Sequence, residues 1–362
     1  MNFSNISVNG SFPGASPAWI RYHSAFTAWF ASNLFVGLSG GILSMILAAS
    51  IFFHRQVHWG CQVLIIHLLL IQAITCGGFV ITLSFTMYFP GLQIGPTGCT
   101  YFYFGLLWVV DAGQWSQCFL AVNRLIAIVN PHRYAAWRTR RVIILIIVLG
   151  WLVPFTANLP IILEIVGKIV VTFAPWRGCN YRNPLNAASM ILFTIGLYLP
   201  IGLTFLCYFT IMLVEIRNRF CGGRKVGNSD EVALVGNLKL MKRRLIIVKM
   251  LFASTMWFTA SYLPYIVSLT YFQGIHAQNP TLVLWLRLLY YTGCAGLPVT
   301  FLIMCKDYRH AVTVMLLKLF SFKHTVIPPK KSSTQQNTIS LKETKRPQLL
   351  NFQRSQYRES SC

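Results

Sequence analysis

Seven long apolar stretches, separated by short polar connections, set the pattern of this chain. They fall at 28–53, 62–88, 100–129, 142–163, 187–214, 245–272 and 282–304. Each is long enough to cross about 30 Å of hydrocarbon as a helix. Apolar residues run through them without period-two alternation, which excludes a closed β-barrel. Backbone polar groups in hydrocarbon must be satisfied within each segment, so the pattern predicts an all-α membrane protein with a seven-transmembrane helix bundle. The pattern changes after the last span. Tyr308, Val312, Met315, Leu316 and Leu319 share one helical face, and Lys306, Arg309 and Lys318 are placed to meet headgroups. That spacing predicts a short amphipathic helix on the membrane surface over 305–320. Residues 1–27 then form an extracellular N-terminus and 28–304 the transmembrane domain. The tail 321–362, polar beyond Pro328-Pro329, is expected to be disordered in the cytoplasm.

Composition agrees with this reading. The chain is 55% hydrophobic and 11% charged, with a mean hydropathy of +0.57. A soluble domain cannot cover that much apolar surface. The net charge is +23, and its placement matters more than its size. With the N-terminus outside, every Lys and Arg except Arg21, Lys168, Arg177, Arg182 and Arg287 falls on the cytoplasmic side. This satisfies the positive-inside rule and predicts a multi-pass plasma-membrane protein. The basic excess then reflects topology and attraction to membrane lipids rather than nucleic-acid binding, since no soluble module remains to carry the latter. The first apolar run begins late and is long enough to span, so no cleavable signal peptide is expected.

Three glycosylation sequons cluster in the segment assigned to the outside, at Asn2, Asn5 and Asn9. Of ten cysteines, only Cys99 and Cys179 fall in the outer layer, where oxidising conditions favour pairing them. The bridge would pin the loop after the fourth span over the bundle mouth. Cys61, Cys76, Cys118, Cys207 and Cys294 read as small buried hydrophobes. Cys305, closing the seventh span, is either a silent thiol or an acylation site.

An enzyme reading finds no support. The chain has no His-Glu-x-x-His, no Gly-x-Ser-x-Gly, no phosphate-cradling loop and no intramembrane carboxylate pair. No metal site or cofactor is expected. A transporter or channel would want discontinuous helices or charged rings, and only Asp111 is deeply acidic.

Charges inside spans are expensive and mark function or a specific partner. Arg124, in Asn123-Arg124-Leu125, ends the third span at the cytoplasmic mouth. Arg287 lies in the seventh span near the outside, as a counter-ion for a ligand or as a residue snorkelling outward. Asp111 is deeper and is expected to pair with polar neighbours. Tyr103, Leu106 and Val110 of the third span, Tyr262 and Tyr265 of the sixth, and Arg287 and Tyr291 of the seventh outline a candidate aromatic ligand pocket. Packing or an interfacial aromatic belt is the competing reading of the same side chains. Pro200, Pro264 and Pro298 each remove a backbone hydrogen bond and kink their helices.

Taken in order, these residues resemble the rhodopsin-like (class A) G-protein-coupled receptors over about 30–320. The resemblance rests on Arg124 at its spacing from Cys99, Pro131 with Tyr134, Trp151, Pro200 with Tyr208, Tyr262-Leu-Pro264-Tyr265, and Leu297-Pro298-Val-Thr-Phe301. The narrower run Asn-Arg-Leu-Ile-Ala-Ile with Pro-x-x-Tyr resembles nematode serpentine chemoreceptors of the Srx type. The resemblance implies a receptor that binds an extracellular small-molecule or peptide ligand and activates heterotrimeric G proteins. Arg124, Asn123, Tyr208, Tyr262, Pro264 and Pro298 would form its coupling and switch residues. Arrestin and kinase would act at the tail, which offers Ser332, Ser333, Thr334, Thr338 and Ser340. A neuropeptide receptor and a non-signalling seven-span protein remain alternatives.

Departures from the family pattern carry their own expectations. Asn123 replaces the acid before the arginine, and Gln72, Leu297 and Phe301 replace the polar groups of a sodium pocket. A weakly locked resting state and no sodium site follow. Leu106 stands where amine receptors keep an aspartate, and Tyr291 where opsins keep the retinal lysine. A biogenic amine is therefore disfavoured, and retinal attachment is excluded there.

Overall fold

Each of the seven apolar stretches is helical in the computed structural model, which describes residues 17–53, 61–89, 92, 94–165, 168–172, 178–182, 187–221, 231–272 and 278–321. Helix α1 spans Pro17–Phe53; α2 runs from Cys61–Ala73 through a π-helical segment, Ile74–Val80, into Ile81–Tyr88. Helix α3 is Pro96–Val129 and α4 is Arg140–Ile162, joined by a short helix, Pro131–Trp137. Helix α5 comprises Ala187–Phe193, a π-helical Thr194–Tyr198 and Leu199–Cys221. Helices α6 (Glu231–Tyr271), α7 (Pro280–Met304) and α8 (Lys306–Ser321) complete the order.

The helices overrun the apolar stretches because hydrocarbon limits only the apolar part of each. Prolines in the first turn, Pro96 and Pro280, start α3 and α7, where a missing N–H costs nothing. Among the described residues, five helices are long and apolar enough by themselves to cross a membrane. Helix α3 instead carries Asp111, Gln114, Gln117, Asn123 and Arg124, all of them buried.

The outward faces form an apolar belt that includes Phe35, Ile42, Met45, Leu145, Val148, Leu206, Phe209 and Ile303. Such a belt suits hydrocarbon and no aqueous surface. Two large cores lie inside, with smaller clusters beside them. One, at the end that holds Arg124, joins Leu47, Leu68, Leu120, Ile143, Tyr208, Leu251 and Phe301. The other, toward Cys99, joins Trp29, Leu106, Phe258, Tyr262, Tyr290 and Tyr291. Helix α1 lies closely against α7: a Cβ at Gly40 would come 2.7 Å from the Ala295 Cβ, so only glycine permits this approach. At mid-depth the Trp151 indole donates to His67 Nε2 at 2.8 Å, while Trp108 donates to the Trp151 carbonyl at 2.9 Å, tying α2, α3 and α4 together.

Between α4 and α5 a two-stranded antiparallel hairpin, β1 (Lys168–Thr172) and β2 (Gly178–Arg182), pairs Val171 with Cys179. Cys99 and Cys179 form a disulfide with Cα atoms 5.6 Å apart, fastening β2 to the start of α3. After α7, the Tyr308 ring of α8 stacks on Phe301 at 5.7 Å, and Ser50 of α1 donates to the Met315 sulfur at 3.5 Å. The sequons at Asn2, Asn5 and Asn9 and the tail beyond Ser321 lie outside the described residues.

Candidate ligand cavity and coupling face

Below the disulfide the helices leave a narrow cavity of about 30 Å³. Six of the seven candidate pocket residues line it: Tyr103, Leu106, Tyr262, Tyr265, Arg287 and Tyr291. Val110 does not; it is buried in the core one turn further from the disulfide. Cys179 forms part of the roof, so the disulfide and the cavity are one construction. Leu83 of α2 and Phe193 of α5 also contribute walls. Sequence reading missed both, because an apolar residue facing a cavity has the same pattern as one facing a core.

Arg287 is 6% exposed and points into the bundle rather than snorkelling. Its Nη1 donates to the Met87 sulfur at 3.3 Å, and its guanidinium carbon lies 5.9 Å from the centre of the Tyr265 ring. A ladder of rings leads away from it. Tyr265 stacks on Tyr290 at 5.7 Å, and Tyr290 meets Tyr291 at 4.9 Å and Tyr262 at 4.8 Å. Tyr262 then stacks on Phe258 at 5.1 Å. Tyr262 sits two residues before Pro264, where the ring removes a helical hydrogen bond from α6. The cavity wall is thus continuous with the proline-containing turn of α6.

At the far end, Arg124 is 3% exposed, and Asn123 beside it is fully buried. Neither polar atom of the Asn123 side chain has a hydrogen-bond partner among the described residues, so Asn123 does not hold the guanidinium. Tyr208 of α5 is buried in the same core, its ring 5.8 Å from Phe252 of α6. The Lys242, Arg243 and Arg244 side chains lie outside what is described. Pro298 is buried within α7 beside Leu297, with Phe301 under it. Among the described residues no cluster of metal-binding side chains occurs.

A family model, 7 transmembrane receptor (rhodopsin family), matches residues 43–299, from mid-α1 to just past Pro298. The chain belongs to that family. The receptor also resembles a solved structure, squid rhodopsin, with a TM-score of 0.69 at 15% identity. That match covers 89% of this chain and 98% of the squid chain and speaks for the fold alone. No curated protein matches the sequence. Family membership makes the receptor a multi-pass membrane protein of the G-protein-coupled class and not an enzyme.

Proposed function

We propose that this receptor sits in the plasma membrane with its N-terminus outside, takes a small acidic ligand into the cavity under the Cys99–Cys179 bridge, and activates heterotrimeric G proteins through Arg124. The observation that carries the ligand class is Arg287, a cation buried inside a membrane bundle. A guanidinium there is costly, and a ligand carboxylate supplies the bidentate partner its fork suits. The surrounding tyrosines give the apolar, aromatic wall with few polar groups that small-molecule sites use. A biogenic amine remains disfavoured by Leu106 on this wall. A chemosensory role accords with the resemblance to serpentine chemoreceptors.

At the opposite end, Asn123 supplies no carboxylate to restrain Arg124, which supports a weakly locked resting state with basal signalling. Nucleotide exchange on reconstituted G proteins, read across a series of small carboxylates, tests the reading. An active carboxylate should lose at least tenfold potency in Arg287→Gln, about 1.4 kcal/mol. Unchanged potency in that variant would remove Arg287 from the site.

A further inference from the structure

Asp111 lies on α3, 6% exposed, a carboxyl group buried inside the bundle. Its Oδ2 accepts one bond, from Asn158 Nδ2 of α4 at 2.8 Å. The same amide group also donates to the Pro154 carbonyl at 2.9 Å, so its two N–H bonds are divided between two acceptors. The Asn158 Oδ1 is buried with no partner among the described residues. Buried acceptors are normally satisfied, and this cluster calls for a further donor.

The fold brings backbone close against this carboxylate. Gly196, in the π-helical turn of α5, faces it so closely that a Cβ there would lie 2.7 Å from Oδ2. π-helical turns recur at functional sites because they re-aim one turn of backbone. Leu107 of α3 and Phe193 of α5, each about one turn toward the disulfide from Asp111 and Gly196, line the cavity. The cluster is therefore the next layer beneath the cavity floor. Tyr262 and Tyr290, the central rings of the ladder, are within electrostatic reach of Asp111.

We propose that Asp111 and Asn158 form a second pole of the ligand site, which takes an amine end of a ligand whose carboxylate rests on Arg287. The ligand class is then an ω-amino acid or its close equivalent, with the two charges at opposite ends of an apolar body. This rests on the reading of Arg287 given above. An ammonium brings three donors, matching the carboxylate and the open amide oxygen. A cavity of about 30 Å³ admits such a ligand only if wall side chains move, Tyr262 among them. Because Tyr262 lies two residues before Pro264, that displacement acts on the proline-containing turn of α6.

The test uses the full-length receptor in lipid nanodiscs and the shift of its thermal midpoint with matched probes: octanoate, octylamine and 8-aminooctanoate, with the six- and ten-carbon homologues. A ligand that binds only the folded state raises the midpoint with concentration over Kd. At least one amino acid of the series should give about twice the shift of the carboxylate of equal length at equal concentration. Asp111→Asn should abolish that margin and keep the carboxylate shift, whereas Arg287→Gln should abolish the carboxylate shift itself. If Asp111→Asn does not fold, Gly196→Ala serves instead, since its methyl crowds the carboxylate; it should also remove the margin. An amino acid series no better than the carboxylates overturns this pole while leaving Arg287 standing. A margin that survives both Asp111→Asn and Gly196→Ala overturns it as well. So does an Asp111-dependent shift produced by sodium chloride and not by N-methylglucamine chloride, which would make the cluster an inorganic cation site.

Discussion

At the scale of single residues, a few side chains have chemistry that does not suit their surroundings. Asn123 is the plainest case: its amide is fully buried and makes no hydrogen bond among the described residues. A buried unsatisfied amide costs about 1–3 kcal/mol, and a state in which a partner reaches it would recover that cost. Asn123→Asp places a carboxylate next to Arg124 and should lower basal nucleotide exchange several-fold. Exchange unchanged at equal surface expression would mean that the resting state is locked elsewhere. The disulfide is a second case. It closes a separation of 80 residues, and Cys99→Ser or Cys179→Ser should cost about 2–5 kcal/mol, read as a lower thermal midpoint. Both cysteines were legible in the sequence because topology left them alone in the outer layer. The inward turn of Arg287 was not, since a long cationic stem near a helix end can snorkel or bury with the same sequence.

At the scale of elements, the interest lies where helices depart from regularity. The sequence announces Pro200, Pro264 and Pro298, but it does not announce the π-helical segments Ile74–Val80 and Thr194–Tyr198, which carry no residue type of their own. The hairpin Lys168–Thr172 with Gly178–Arg182 also escaped notice, because two five-residue strands in a loop lack a readable period. Between α6 and α7 the Trp257 indole donates to the Thr292 carbonyl at 3.1 Å. A Cβ at Gly296 would overlap that indole, so α7 presents a notch cut to its shape. Interhelical hydrogen bonds in membranes contribute about 0.6–2 kcal/mol. Trp257→Phe should therefore loosen α6 against α7, raising basal exchange while lowering the thermal midpoint by a few degrees. A variant with the same midpoint and the same basal rate would show that this contact restrains nothing.

At the scale of the whole molecule, the proposed recognition site and the proposed coupling face lie at opposite ends of the bundle. The disulfide, the hairpin and the Arg287 cavity crowd one mouth; Arg124, Tyr208 and the Phe301–Tyr308 stack of α8 hold the other. Apolar periodicity made the seven helices and α8 legible, because lipid permits few ways to satisfy a backbone. The cavity was half legible: aromatic and charged residues stand out in an apolar span, whereas Leu83 and Phe193 do not. Charge placement further expects the receptor to orient with its N-terminus outside, and glycosidase-sensitive mass at Asn2, Asn5 or Asn9 on intact cells would check it. On the proposed function, this bundle drives nucleotide exchange through Arg124. Its most direct measurement is exchange on purified G proteins reconstituted with the receptor, wild type against Arg124→Ala, without added ligand. Exchange above the receptor-free rate is expected for wild type, with a fall to that rate for Arg124→Ala; equal rates for both proteins and for empty nanodiscs, with folding shown by the same thermal midpoint, would contradict a role for Arg124 in coupling.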